Sequence, residues 1–489
     1  GNYRNDEARA ALRELPGTEI QLERLDKKAS ARLVRSMLGK GGKNPALVDY
    51  LYGQTEGNIF FLVEVLRVLA QRAGQLDLVA EHALPADLLT GGIEQLVDRR
   101  LGQLSAAARA LLELAAVAGR QLDLKVLTRA CAGPDLSGWL TDCMNAMVLE
   151  TPQGELQFAH DKIRERLLKQ LDPSRRRLLH LQIADAIQVE YGDDKTQAPA
   201  LAHHYDKAGA PEKALAYYLT AAKEAARLYA VVDARAHYAG ALGALAGLPA
   251  TAERRRQQVD TLVSLVSISL WAEPAEQLVA KLTEAESLLL ALKAGGDFTP
   301  ADQARLANVY FFLGRSTSTL CAYDRAISYF RKASEAAAQC GDDGLRVVSL
   351  GSMARCLQLQ GNFGACWGLM KESLDWLSAQ EYRNEWARNE WARVNGSMGM
   401  SLVVQGRVKE GMERMQETLR RSQDPTYVTR HIYMVICHLF LQDWTAMREH
   451  AQQCAVACEQ TKDELMLCCA VWMLSWAESW LGFHEESAL

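Results

Sequence analysis

What this sequence has little of narrows its class first. Among 489 residues there are only 12 prolines, and aromatic residues make up 7%. Lys and Arg total 55 against 60 Asp and Glu, so the formal net charge is -5 and neither sign dominates. That balance excludes a strongly basic nucleic-acid binder, while leaving local basic patches open. No run of about 18 apolar residues occurs, so no segment is long enough to span a bilayer as a helix. The opening GNYRNDE is polar and lacks the basic-then-apolar pattern of a signal peptide. The 11 cysteines are scattered, most of them within helical patterns, which reads as reduced thiols in a cytoplasmic protein.

Complete catalytic motifs are missing as well. There is no Gly-x-Ser-x-Gly elbow, no His-Glu-x-x-His zinc helix and no Gly-x-Gly-x-x-Gly turn. The nearest approach to a phosphate-binding P-loop is GKGGKN at 39–44. Met37 stands where the first Gly is needed, Asn44 where Ser or Thr is needed, and the segment follows a helical pattern instead of a strand. It reads as a loop. The chain taken alone is not expected to be an enzyme.

What is present is an ordinary globular composition, 49% hydrophobic and 24% charged, with length for about three domains. Residues 1–25 hold a helical stretch Ala8–Leu15, a Pro16-Gly17 turn and an Ile20, Leu22, Leu25 alternation that predicts one strand. From 26 to 102 the pattern is helical, with stripes at Leu33, Met37, Leu38 and at Phe60, Phe61, Val63, Leu66, Leu69. Residues 103–190 predict helices at Ala106–Ala118, Leu124–Ala130 and Leu136–Met147, then a small hairpin around Pro152-Gln153-Gly154, then another helix. Helices, hairpin, helix is the order of a winged-helix domain.

From Ala198 onward only helices are predicted, with small residues at regular places. A tetratricopeptide unit of about 34 residues wants small residues near positions 8, 20 and 27, where its two antiparallel helices approach closely. Leu201, Ala202, Tyr205, Gly209, Ala214, Tyr218 and Ala221 fit one such unit, and Tyr310, Leu313, Gly314, Ala326, Phe330 and Ala333 fit another. Ala354, Leu357, Gly361, Cys366 and Met370 give a third, and Gly399, Leu402, Gly406, Gly411 and Met415 a fourth. Gly361, Gly406 and Gly482 recur at 45 and 76 residues, with a weaker unit between the last two near Asp443-Trp444. The repeat is thus degenerate and nearer ~40 residues than the ~34 of the standard unit. The Trp-rich end (Trp472, Trp476, Trp480) lacks the polar capping helix expected of a finished solenoid, so the last repeat reads as incomplete.

Four blocks in order, GNYRNDE at 1–7, TEGNIFFLVEVLRVL at 55–69, FAHDKIRERLL at 158–168 and RRRLLHLQIADAI at 175–187, resemble the C-terminal part of a STAND ATPase. These are signal-transduction ATPases of the AAA+ superfamily. The branch most resembled is bacterial, standing behind serine/threonine kinase or cyclase domains and ahead of tetratricopeptide repeats. The resemblance implies a mainly α chain in four parts: the end of an AAA+ core with its sensor-1 segment (1–25), a helical lid (26–102), a winged-helix domain (103–190), and an α-α solenoid of tetratricopeptide-like repeats (191–489). It also implies that the P-loop core and an output domain belong to the same longer polypeptide.

Residue by residue, the resemblance makes Arg4 the sensor-1 arginine approaching the terminal phosphate, a role suited to a guanidinium fork. The alternative is a surface loop arginine. Gly57 and Asn58 fall on the lid motif Glu-Gly-Asn-Pro-Phe-Phe near the adenine, with Ile59 in place of the family's Pro; the alternative is a turn leading into a helix. His160 matches the His of a Met-His-Asp motif that donates to the β-phosphate of ADP, with Ala159 in place of Met. An imidazole N–H can make that bond, and losing it would free a domain to swing. The alternative is a histidine capping or packing at a helix start, where Asp161 could also serve as the cap. His180 reads as structural.

The implied cofactor is ATP or ADP, with Mg expected, in the full-length protein, and none for these residues alone. The implied partner is a protein or peptide on the repeats, with output in domains elsewhere. A non-enzymatic repeat scaffold, or a transcription activator resembling the maltose regulator, are the alternatives. Basic triplets at Arg175–Arg177 and Arg254–Arg256 are each followed by apolar helical residues, so nucleic acid is not expected as a partner. His450, Cys454 and Cys458 share a helix face at ligand-like spacing, but without a Cys-x-x-Cys pair they read as packing thiols before zinc ligands.

Overall fold

A computed structural model describes residues 24–39, 41–55, 57, 59, 62–63, 65–66, 69–70, 92–131, 136–192, 194–270, 272–380, 385–421, 429–461 and 464–482. The chain divides into two compact units, 1–186 and 187–489.

In the first unit, α1 (Lys27–Leu38) begins at Asp26, whose carboxylate accepts from the Ala29 amide at 2.6 Å. α2 (Pro45–Thr55) starts on a proline, which has no amide to leave unpaired there, and the Asn44 side chain accepts from Ala46 at 3.0 Å. The apolar stripe of α1 (Val34, Leu38) closes on Leu47, Val48 and Leu51 of α2 and on Leu62, Val65, Leu66 and Leu69. The GKGGKN loop is a packing device. A Cβ on Gly42 would stand 2.6 Å from the Val34 carbonyl, so the loop lies on the backbone of α1.

Next come α3 (Gly92–Gly102), α4 (Ala106–Ala118), α5 (Leu124–Ala130), α6 (Leu136–Asn145), the strands β1 (Leu149–Glu150) and β2 (Gln157–Phe158), α7 (Asp161–Gln170) and α8 (Pro173–Tyr191). Leu149 pairs antiparallel with Phe158, and Glu150 with Gln157. A further bridge joins Gln121 to Gln157, with Leu122 donating to the Leu156 carbonyl at 2.8 Å. The sequence pattern did not show this third extended segment, because three residues are too few for a period-2 signal. The Trp139 indole donates to the Ala108 carbonyl at 3.1 Å, pinning α6 on α4.

The second unit is entirely helical among its described residues: α9 (Ala198–Ala208), α10 (Pro211–Arg227), α11 (Val231–Ala246), α12 (Ala252–Ser269), α13 (Ala275–Ala294), α14 (Pro300–Thr319), α15 (Tyr323–Cys340), α16 (Asp343–Leu359), α17 (Phe363–Gln380), α18 (Glu385–Val404), α19 (Val408–Arg421), α20 (Thr429–Leu441), α21 (Trp444–Thr461) and α22 (Glu464–Leu481). Each packs on the next in sequence. Its interior is a succession of small cores, each shared by three consecutive helices. Phe311, Phe330 and Met353 join α14, α15 and α16; Ala354, Met370 and Met398 join α16, α17 and α18. Nearest-neighbour cores of this kind define an α-α solenoid of tetratricopeptide-like repeats.

The period is set at the turns. Cys321, Gly361, Gly406, Gln442 and Gly482 all take positive φ, between 55° and 85°. Successive positions lie 40, 45, 36 and 40 residues apart. Gly361 and Gly406 were legible as turn residues; Cys321 and Gln442 were not, since neither is glycine. Their backbone bonds are nonetheless the same, as in Gln442 to the Leu439 carbonyl at 3.2 Å and Asp443 to the His438 carbonyl at 3.0 Å. The small positions mark close crossings as the sequence predicts. A Cβ on Gly411 of α19 would stand 2.6 Å from the Gly399 carbonyl of α18.

Candidate functional site

The residues singled out in the first unit meet different fates. Arg4 and Asn58 lie outside the described residues. Gly57 is buried at φ +73°, and its carbonyl accepts from the Leu25 amide at 2.9 Å. A Cβ there would stand 1.8 Å from the Leu25 carbonyl oxygen, so glycine is required by packing alone. Ile59 is exposed.

His160 caps α7. Its Nδ1 accepts from the Lys162 amide at 3.0 Å. The cap is thus His160 and not Asp161, which is the first helical residue and faces Arg120 at 3.5 Å. An acceptor Nδ1 in a neutral imidazole places the ring proton on Nε2. His160 is half-buried, at the junction where Ala159 leaves the hairpin by donating to the Val148 carbonyl at 3.0 Å.

The helix that His160 starts is tied firmly to its surroundings. Arg166 binds Asp98 of α3 with both arms of its fork, Nε at 3.0 Å and a terminal nitrogen at 2.7 Å. The Arg166 hydrogen bonds hold the Asp98 carboxyl below its ordinary pKa, against a smaller upward push from burial. Arg164 donates to the Ala116 carbonyl of α4 at 2.7 Å, and burial lowers its pKa. Arg100 of α3 reaches the Met147 carbonyl at 2.9 Å. Any movement of α7 must therefore carry α3 with it or break a bidentate ion pair.

In the second unit, the even-numbered helices from α12 to α20 pack on one another as well as on their sequence neighbours, more closely than the odd-numbered helices do among themselves. They form the inner layer of the stack. Polar bonds run between inner helices. Gln358 of α16 donates to the Ser397 carbonyl at 2.9 Å and to the Ser401 hydroxyl at 2.7 Å, and accepts from the Ser397 hydroxyl at 2.7 Å, all buried. Arg355 donates to the Tyr433 hydroxyl of α20 at 2.6 Å. Periodicity reasoning missed these residues, since it weighs apolar and small positions and discards polar ones.

Three arginines of the basic triplets have partners within the fold, while Arg176 and Arg177 are exposed. Arg256 binds Asp302, Arg254 donates to the Gln257 side chain at 2.7 Å, and Arg175 lies 3.5 Å from Glu113. Cys454 and Cys458 pack in a small core with Ala470. His450 instead faces His431, ring nitrogens 3.2 Å apart, and stacks on His438. Among the described residues no helix is long and apolar enough to cross a membrane.

No protein-family model matches the chain. No curated protein matches it either. Among solved structures it is similar to a signal transduction ATPase with numerous domains (STAND) protein with a tetratricopeptide repeat sensor from Pyrococcus horikoshii, at 14% identity and a TM-score of 0.45. That match covers 94% of this chain and 64% of the archaeal one, so the chain spans somewhat under two thirds of its length. It is also similar to aspartyl phosphate phosphatase F from Bacillus subtilis (11% identity, TM-score 0.45, covering 83% and 94% of the two chains). A third is the apo form of the quorum sensor NprR from B. thuringiensis (13% identity, TM-score 0.42, covering 72% and 96%).

Proposed function

We propose that these residues are the regulatory and sensor half of a STAND-type ATPase signalling protein. In this reading the repeats bind a protein or peptide partner, and the first unit switches with nucleotide state as lid and winged helix. The observation that carries it is the bond from the Lys162 amide to His160 Nδ1. With Nδ1 accepting from the Lys162 amide, a neutral ring carries its proton on Nε2, the kind of donor a diphosphate requires.

The residues present fit a nucleotide in part. His160 supplies a donor; Gly57 supplies the turn that fixes the lid helices, not a contact of its own. Arg4 and Asn58 would contribute from the segments outside the described residues, and a P-loop core with Mg would be supplied from outside these 489 residues. A bound ADP would supply the phosphate anion. His160 would hold it through Nε2–H, and α7 would pass the restraint to α3 through Arg166 and Asp98. A partner that favours the released arrangement shifts the equilibrium by its differential affinity for the two states. The output would lie in another domain, such as a serine/threonine kinase.

A second reading, a repeat scaffold with no nucleotide role, is favoured by one observation. Gly57 and His160 each have a complete structural task, a close approach and a helix cap.

Two substitutions in the full-length protein separate the readings. His160→Asp keeps a strong cap but replaces the phosphate donor with an anion, whereas His160→Ala removes both. The switch reading expects both variants to lose ADP retention at least tenfold and to raise basal output, with only the Ala variant losing stability. Unchanged ADP retention and output in His160→Asp would sink it and leave the scaffold.

A further inference from the structure

The inner layer carries a group of arginines of which one, Arg315, has no bonded partner among the described residues. Arg315 on α14 and Arg355 on α16 share one register, each six residues before the left-handed turn residue of its repeat, Cys321 and Gly361. Arg393 on α18 reaches back toward α16. One of its terminal nitrogens lies 3.2 Å from where a Cβ would stand on Gly351, one helical turn before Arg355. The missing side chain at Gly351 is what makes room for that guanidinium.

Arg393 is held by Glu390, with Nε at 2.9 and 3.1 Å from the two carboxylate oxygens. Arg355 is exposed to solvent and lies over the Tyr433 ring while bonding its hydroxyl. Arg315 is half-buried, with Arg393, Glu390 and Arg355 as its charged neighbours, and among the described residues it makes no hydrogen bond or ion pair. Burial and the Arg393 charge both push its pKa down, with Glu390 opposing. Arg315 thus has two other guanidinium groups, from the next two inner helices, and one carboxylate within electrostatic reach, and Arg393 already holds that carboxylate. A guanidinium taken partly out of water without an acceptor is unfavourable, and two like charges beside it make it more so.

We propose that Arg315, Arg355 and Arg393 form an oxyanion-binding site on the inner layer of the solenoid, which takes a side-chain carboxylate of an acidic peptide segment in a partner. The guanidinium fork matches a carboxylate in plane and spacing, and two forks can grip one carboxylate from adjacent helices. Exposed Arg355 is the point of first contact, and the deeper Arg315 is the group whose missing counter-charge the ligand provides. The inner side of a solenoid suits an extended segment better than a flat surface. This inference rests on the partner-binding reading of the repeats and names the chemistry of that partner.

The test is calorimetric titration of the 489-residue chain at low salt with a tetraglutamate peptide, a tetraglutamine peptide and inorganic phosphate. Tetraglutamate is expected to bind at least tenfold more tightly than tetraglutamine. Arg315→Gln should cost at least tenfold in that affinity, while Arg420→Gln on α19 leaves it unchanged. Without ligand, Arg315→Gln should melt no earlier than wild type, because it relieves repulsion. An earlier melt would make Arg315 a structural residue and overturn the site. Equal peptide binding by wild type and Arg315→Gln overturns it, and so does binding of phosphate without peptide, which marks a free-anion site. If tetraglutamate fails while a partner of the repeats binds independently of Arg315, this inference falls and the partner reading stands.

Discussion

The Arg256 guanidinium grips the Asp302 carboxylate across 46 residues of sequence, with Nε at 3.0 and 3.1 Å from its two oxygens and a terminal nitrogen at 3.0 Å. Asp302 has no exposed side-chain surface, and its partner is 16% exposed. The same carboxylate accepts from the Thr299 amide at 2.9 Å and the Thr299 hydroxyl at 2.8 Å, closing a capping box at the start of α14. One acidic group thus caps an inner helix and ties it to α12. Burial pushes its pKa up, but the Arg256 and Thr299 hydrogen bonds and the Arg256 charge outweigh burial and hold it at about 2.

Removing that group should be costly. Asp302→Ala removes the bidentate partner of Arg256 and the carboxylate half of the capping box, while the Thr299 hydroxyl keeps its bond to the residue-302 amide, a loss of about 3 kcal/mol or more. Urea denaturation followed by helical circular dichroism checks it. A change below about 0.5 kcal/mol would mean that the pair does not hold α12 and α14 together.

The same pair sets an acid limit. A carboxyl whose folded pKa lies below its unfolded value contributes stability that is complete above the unfolded pKa and lost as pH falls through the folded one. For Asp302 the window runs from about pH 4 down to about pH 2. The stake is about 2 kcal/mol. The wild type should therefore lose more stability across this window than Asp302→Asn, measured as thermal midpoints at fixed ionic strength.

Cys321 and Gln442 hold positive φ without being glycine. Cys321→Gly and Gln442→Gly should each stabilise the solenoid by up to about 1 kcal/mol, because the left-handed region costs a side chain roughly that much. Gly361→Ala should lose a similar amount. A fall in midpoint for both glycine substitutions would show that the Cys321 and Gln442 side chains matter more than the turn.

Thiol reactivity should sort by burial. Cys321, Cys468 and Cys469 are exposed, whereas Cys143 and Cys437 are buried, with burial pushing both pKa values up to about 12. Iodoacetamide at pH 8 should label the exposed three within minutes and the buried pair only after unfolding, read by peptide mass mapping. Early labelling of Cys437 would place the α18–α20 core open in solution.

Gly57→Ala should destabilise the α1–α2 core, since the new Cβ would collide with the Leu25 carbonyl and the backbone sits at φ +73°. A cost of about 2 kcal/mol is expected from strain and displacement together. A stable Gly57→Ala variant would remove the packing account of this glycine.

The sequence by itself determined that the second unit is a stack of helix pairs. Small residues such as Ala214, Ala326, Gly399 and Gly411 can recur only where two helices approach closely, and the structure places them there. It also marked His160 as a residue at a helix start. Tertiary structure alone decided which polar groups meet. The cap belongs to His160 because its ring turns back on the Lys162 amide, and Cys321 and Gln442 adopt the left-handed turn backbone that glycine usually marks. Arg315, Arg355 and Arg393 read as three unrelated surface residues in the chain. They become neighbours only when helices about forty residues apart are laid side by side. Local patterns come from spacings within one or two helical turns, which a sequence displays directly. Charges that converge from separate repeats depend on register and stagger between helices, which no single helix encodes.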